Sequence, residues 1–203
     1  MTSGMFRTSG IAVAIAALVL TGCDSGDPQA KEDMTKAGVS EGAASELSRM
    51  ELTPEEIQSI AEAKKGGLDD ASITRIVKSV HERDLKFDLG FNLQLLMQQG
   101  MGPTVLVELA ELGALPGWAI DISALKDVGV SDVTILQLAR LRFQEKKEML
   151  AGNEYASLKR FGLSDAGLLA FAQKGGNYQQ VQQLTKELAL GRPEQEAMKA
   201  VGL

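Results

Sequence analysis

A glycine-centred segment recurs along this chain at two alternating intervals, and that periodicity limits the folds open to it more than any other feature. The clearest copies are residues 125–136 (LKDVGVSDVTIL) and 158–169 (LKRFGLSDAGLL), followed by 96–107 (LMQQGMGPTVLV), 63–74 (AKKGGLDDASIT) and a degenerate copy around Gly191. Their pivots are Gly67, Gly100, Gly129, Gly162 and Gly191. A longer interval alternates with a shorter one, so Gly67, Gly129 and Gly191 are evenly spaced and two successive segments form a double unit. A shift by that unit superposes Ile60 on Ile122, Lys64 on Lys126, Asp70 on Asp132, Ile73 on Ile135, Ala110 on Ala172 and Gly113 on Gly175. A unit of this size cannot bury an apolar face by itself, so successive copies must stack on one another.

Each copy reads as two helices joined by a tight turn. Gly129 suits the left-handed position after a helix end, and Val130 then falls where a Schellman cap sets an apolar residue against Leu125. Leu163 on Leu158 and Met101 on Leu96 repeat the offset. Ser131 and Ser164 are placed to cap the following helix, with Asp132 and Asp165 at its positive end. Gly102-Pro103 opens its helix differently, since proline is tolerated at the first helical position. Thr53-Pro54-Glu55-Glu56 is a capping box that starts the first of these helices. Ile73, Ile76, Val77 and Val80 keep helical spacing, as do Leu168, Leu169 and Ala172.

The expected fold class is therefore all-α: ten short helices in five hairpins over roughly residues 53–201, stacked as a small solenoid or compact bundle within a repeat domain of residues 52–203. Only 4% of residues are aromatic, which weakens any all-β alternative. Arg192 and Glu187 replace the apolar turn contact in the last hairpin, as suits a terminal cap. One stretch departs from the pattern: Leu85, Phe87, Leu89, Phe91, Leu93 and Leu95 alternate with polar or small residues. It reads as a linker entering a helix and as core between double units, with an exposed docking patch formed by Leu85, Phe87, Leu89 and Phe91 as the competing reading. Trp118, after Leu115-Pro116-Gly117, is treated alike, as a staple of the joint between units or as part of that patch.

Few residues carry reactive chemistry. His81 is the only histidine, with no second histidine or nearby cysteine to complete a metal site. Asp69-Asp70 and Glu55-Glu56 lie at helix starts, where carboxylates favour the helix dipole over acid catalysis. Ser131 and Ser164 have no histidine to activate them. No cofactor, metal or small-molecule substrate is expected, and a non-enzymatic role follows.

The N-terminus is an address. Arg7 precedes an apolar run over residues 11–20 (IAVAIAALVL), too short to span a bilayer stably, and Leu20-Thr21-Gly22-Cys23 follows at once. These four residues resemble the bacterial lipobox, in which an apolar residue and two small ones precede the cysteine. The resemblance implies a lipoprotein signal peptide over 1–22, cleavage between Gly22 and Cys23, and a lipid on the Cys23 sulfur. Cys23 is the only cysteine in the chain, so no disulfide partner competes for it. Two or three acyl chains anchor a protein stably to the extracytoplasmic face of a membrane. Asp24 resembles the residue that retains such proteins in the inner membrane, with the outer membrane as the alternative. Residues 23–51 hold seven acids and three bases with few apolar side chains, and are expected to form a flexible acidic tether, with a short helix open to its second half, Glu41 to Glu51.

Stacked hairpins on a membrane anchor point to a protein-binding or scaffolding component of the cell envelope, with an envelope protein as partner. An unrecognised envelope hydrolase is a further alternative. So is nucleic-acid binding, because Gln99-Gly100-Met101-Gly102-Pro103 resembles the loop of helix-hairpin-helix motifs, whose backbone amides hold a phosphate. Against it, the second glycine is replaced at Ser131 and Ser164, and residues 52–203 carry 17 bases and 20 acids where phosphate binding needs a basic patch.

Overall fold

The computed structural model describes residues 26–83 and 89–203, with 89–91 described by their backbone alone. Among these residues it is all-helical: twelve α-helices and one π-helical turn, without a strand. The helices pair as hairpins in chain order. They are α1 (Pro28–Lys36) with α2 (Glu41–Leu47), α3 (Pro54–Lys65) with α4 (Asp70–His81), and α5 (Leu89–Gln98) with α6 (Pro103–Leu112). Then come α7 (Ala119–Asp127) with α8 (Asp132–Ala139), α9 (Gly152–Arg160) with α10 (Asp165–Gln173), and α11 (Tyr178–Ala189) with α12 (Glu194–Ala200).

The hairpin turns follow from their glycines. Gly38, Gly67, Gly100, Gly129, Gly162 and Gly191 all have φ between +78° and +100°, a region open to glycine without steric cost. After each, the next amide donates back across the turn: Val130 N–H to the Leu125 carbonyl at 3.0 Å, Leu163 to Leu158 at 3.0 Å and Met101 to Leu96 at 3.1 Å. In the last hairpin an Arg192–Glu187 ion pair of 2.8 Å stands where the others have an apolar contact. The capping box at Thr53 and Glu56 is present, and Ser131, Ser164 and Asp69 each accept a hydrogen bond from the first turn they cap.

Stacking produces two rows. The first helices of the hairpins pack in series from α1 through α3, α5, α7 and α9 to α11, and the second helices run in parallel series from α2 to α10. The connections between hairpins explain the double unit. Glu51, Gly113 and Gly175 all have positive φ, follow one another at one double unit's distance and make tight links after α2, α6 and α10. The link after α8 is longer and begins with the π-helical turn Arg140–Gln144. Ion pairs repeat with the same period. Glu46 meets Lys78 across α2 and α4, and Glu108 meets Arg140 between α6 and the π-helical turn.

One buried cluster runs the length of the described residues, from Ala30 to Val201. Its first members correct the expectation of a flexible tether for residues 26–51. Ala30, Met34, Val39, Ala44 and Leu47 are all buried, and α1 and α2 pack on α3 and α4 respectively. Residues 34–45 (MTKAGVSEGAAS) are a sixth copy of the repeat, with Gly38 set before Gly67 by the same short interval that separates Gly100 from Gly129. Asp27 caps α1 and Pro28 occupies its first position, so this helix has an ordinary start signal. The first described residues are held as well, since Asp27 N–H donates to the Ser48 carbonyl at 2.9 Å.

The alternating stretch becomes helix from Leu89, and Leu93 and the adjoining Leu96 are buried at 1% and 0% exposure. Leu85 and Phe87 lie outside the described residues, as do the side chains of Leu89 and Phe91.

Candidate functional site

The residue types that sequence reasoning singled out are dispersed by the fold. Cys23 and Gly22 lie outside the described residues. Trp118 is 1% exposed, which removes it from any docking surface and leaves it inside the joint that precedes α7. Its ring meets Phe143 edge-on at 5.8 Å, and the Arg142 guanidinium sits 5.8 Å from its centroid. His81 is exposed at the end of α4. Glu56 and Asp69 are caps, hydrogen-bonded to backbone amides within their own first turns. Among the described residues no group of three or more His, Cys, Asp or Glu is placed to hold a metal ion, and no helix is long and apolar enough to cross a membrane.

What the fold does assemble is a ladder along the edge where the hairpin turns lie. Within a hairpin, a lysine near the end of the first helix reaches an aspartate opening the second: Lys64 to Asp70 at 2.6 Å, Lys126 to Asp132 at 2.6 Å, and Lys159 to Asp165. The second carboxylate oxygen of Asp70 and of Asp165 serves the preceding turn. Asp70 Oδ2 accepts Ser40 N–H at 3.0 Å, and Asp165 Oδ2 accepts both Ser131 N–H and the Thr134 hydroxyl at 2.9 Å. Glu194 closes the series by accepting Ser164 N–H at 2.7 Å and the Ser164 hydroxyl at 2.8 Å. Each of these three acids therefore ties its own hairpin to the one before it. The ladder ends at Pro193, which has no N–H to offer a further acid. It also breaks at Gly102-Pro103, where serine and acid are both replaced.

Sequence reasoning assigned Asp70 and Asp165 to helix dipoles, did not single out Glu194, and missed the cross-hairpin bonds. The signal was present, because Ser40 precedes Asp70 by the same separation as Ser164 precedes Glu194. The ladder shapes the acids' titration. The Lys64 ammonium, then the Ser40 groups, hold Asp70 down at about 2. Burial pushes Asp165 upward, but bonds from Lys159, Ser131 and Thr134 outweigh it and leave the carboxyl below the usual range. A carboxylate whose folded pKa is depressed contributes stability above its unfolded value, and loses it as pH falls toward the folded one. Thermal stability is thus expected to drop between about pH 4 and pH 2, and to drop less steeply in Asp70→Asn. Parallel pH profiles in thermal melts would show that the Asp70 bonds add nothing.

No family model matches this chain, and no curated protein matches it at a significant level.

Proposed function

We propose that this chain is a lipoprotein anchored through Cys23 to the extracytoplasmic face of a membrane, where its helical array serves as a non-enzymatic scaffold for an envelope protein. The observation that carries this reading is the apolar run of residues 11–20 followed at once by the lipobox-like Leu20-Thr21-Gly22-Cys23. Among the described residues the array begins close to Cys23 in the chain, with Asp27 N–H bonded to the Ser48 carbonyl. A lipid on that cysteine would hold the first hairpin at the headgroups, with the stacked hairpins leading away from the surface. Asp24 favours the inner membrane as the address.

The large apolar side chains that reach solvent support a partner site on the later hairpins. Among the described residues they are Ile120, Val133, Phe161, Tyr178 and Leu190, all from α7 onward. A continuous row of packed helices is a suitable base for such a surface, because each hairpin is fixed by its neighbours.

Two measurements test the reading. Labelled fatty acid is expected to be incorporated by the wild-type chain and not by Cys23→Ser, since the thiol is the acceptor. Release of the wild-type chain from membranes by salt alone would defeat the anchoring claim. Co-purification from detergent-solubilised envelopes is then expected to recover a defined partner that Phe161→Asp loses while helicity and melting stay unchanged. Recovery of the same partner by both chains would move the contact elsewhere.

A further inference from the structure

We propose that the link between α8 and α9 binds an acidic segment of a partner protein, with the Arg142 guanidinium as its anchor. A protein ligand rests on the reading of the array as a scaffold, but the test below needs neither the lipid nor the envelope partner. Each long link uses one cation to fasten the next hairpin. Arg83, after α4, donates to the carbonyl of Glu111 near the end of α6. Lys147, after α8, donates at 3.1 Å to the carbonyl of Gln173 at the end of α10, and position 173 is one double unit beyond 111. That role accounts for Lys147 and leaves Arg142 and Lys146 over.

Arg142 is held in place while its donors stay free. Its guanidinium lies 5.8 Å from the ring centroids of both Trp118 and Phe143, a stacking that favours one orientation of its plane. Among the described residues its five N–H donors make one hydrogen bond, a long one of 3.5 Å to the Leu150 carbonyl, and it forms no ion pair. Its neighbour Arg140, by contrast, is paired with Glu108. Lys146 has a φ of +57°, uncommon for a residue with a side chain. The amides on either side of it, of Glu145 and Lys147, donate to the Arg140 and Leu141 carbonyls at 2.9 and 3.0 Å. The exposed Lys146 side chain therefore stands on a turn fixed from both sides, and it too forms no ion pair among the described residues.

Arg142, Phe143, Lys146, Lys147, Glu148 and Met149 line an open groove of about 530 Å³. Three cations against one carboxylate make it locally positive in a chain of net charge -6, and such a surface selects an anion. Carboxylates spaced along a peptide suit it better than a phosphate. A phosphate draws on a nest of backbone amides, but those of Glu145 and Lys147 are bonded within the link and that of Gly152 is taken by Asp121. Glu148 in the lining, and Glu145 at 3.9 Å from the Lys147 ammonium, also repel a ligand of dense charge. A single carboxylate can pair with the Arg142 fork through two parallel bonds. Phe143 and Met149, partly buried against the core, then give apolar contact to a side chain beside that acid.

The test titrates the full-length chain, in a non-ionic detergent, with a glutamate-rich octapeptide carrying two leucines, with its glutamine-for-glutamate counterpart and with inorganic phosphate. Trp118 is the only tryptophan and lies against Arg142, so its emission reports on the groove. The acidic peptide is expected to bind and shift that emission, and the glutamine peptide and phosphate are not. Arg142→Gln and Lys146→Glu should each weaken binding about tenfold, a loss of about 1.4 kcal/mol. Lys146→Glu should melt as the wild type does, so its loss of binding is not a loss of fold. Arg160→Glu makes the same charge change at an exposed residue at the other end of α9, and should leave binding intact. Four results overturn the proposal: no binding of the acidic peptide, equal or tighter binding of the glutamine peptide or phosphate, binding left intact by Lys146→Glu, or an equal loss in Arg160→Glu.

Discussion

Leu47→Ala is expected to destabilise the folded chain by about 2–5 kcal/mol, the cost of a cavity at a closed apolar site. Leu47 is 0% exposed, on a helix that packs against both α1 and α4. Its neighbours Met34 and Ala44 are equally closed, so little side-chain movement can fill the space it leaves. For a domain of this length each kcal/mol lowers the melting temperature by roughly 2–4 °C, which puts the shift well within calorimetric reach. The same substitution in a flexible acidic tether would change stability by no more than about 0.5 kcal/mol. A null result would therefore restore the tether and end the array at α3.

Gly152→Val is the second large effect, expected at about 3 kcal/mol, with a melting temperature lowered by roughly 6–12 °C. A Cβ at this position would stand 2.5 Å from the Asp121 carbonyl oxygen and 2.6 Å from its Cα, so backbone and not a mobile side chain would have to move. Gly152 N–H also donates to Asp121 Oδ1 at 2.7 Å, a bond that needs this close approach of α9 to α7. The damage should fall at the joint between the fourth and fifth hairpins. Hydrogen exchange should report loss of protection in α7 and α9 before α1 or α2. Wild-type melting in this variant would mean that the two helices are not held at this distance.

Two features of the sequence were enough to define most of the array. The pivot glycines fixed where each hairpin turns, because a left-handed residue followed by an apolar one has few other uses at a helix end. Ser131, Ser164 and Thr53 marked helix starts through bonds formed within one turn of chain. Local rules of this kind are legible without knowing what lies next to them, and the fold class, the turn positions and the ten helices after Thr53 follow from them.

The packing of the first hairpin and the bonds between hairpins were not legible, for a different physical reason. Helix α1 buries only Ala30 and Met34, too little apolar surface to suggest order by itself, and its burial is supplied by its contacts with α2 and α3. Its turn copy at Gly38 is weak in composition, since Ala44 stands where the four clear copies have Ile73, Leu106, Ile135 and Leu168. The ladder acids had an adequate local explanation as helix-start charges, and only the stacking of turns showed that Asp70 and Asp165 also bond the preceding hairpin. The sequence by itself determined where the hairpins after Thr53 turn and that Thr53, Ser131 and Ser164 cap their helices, since those depend on contacts within a few residues. Tertiary structure alone decided that residues 26–51 pack onto the array and which acids join hairpins, since each depends on groups carried by a neighbouring hairpin.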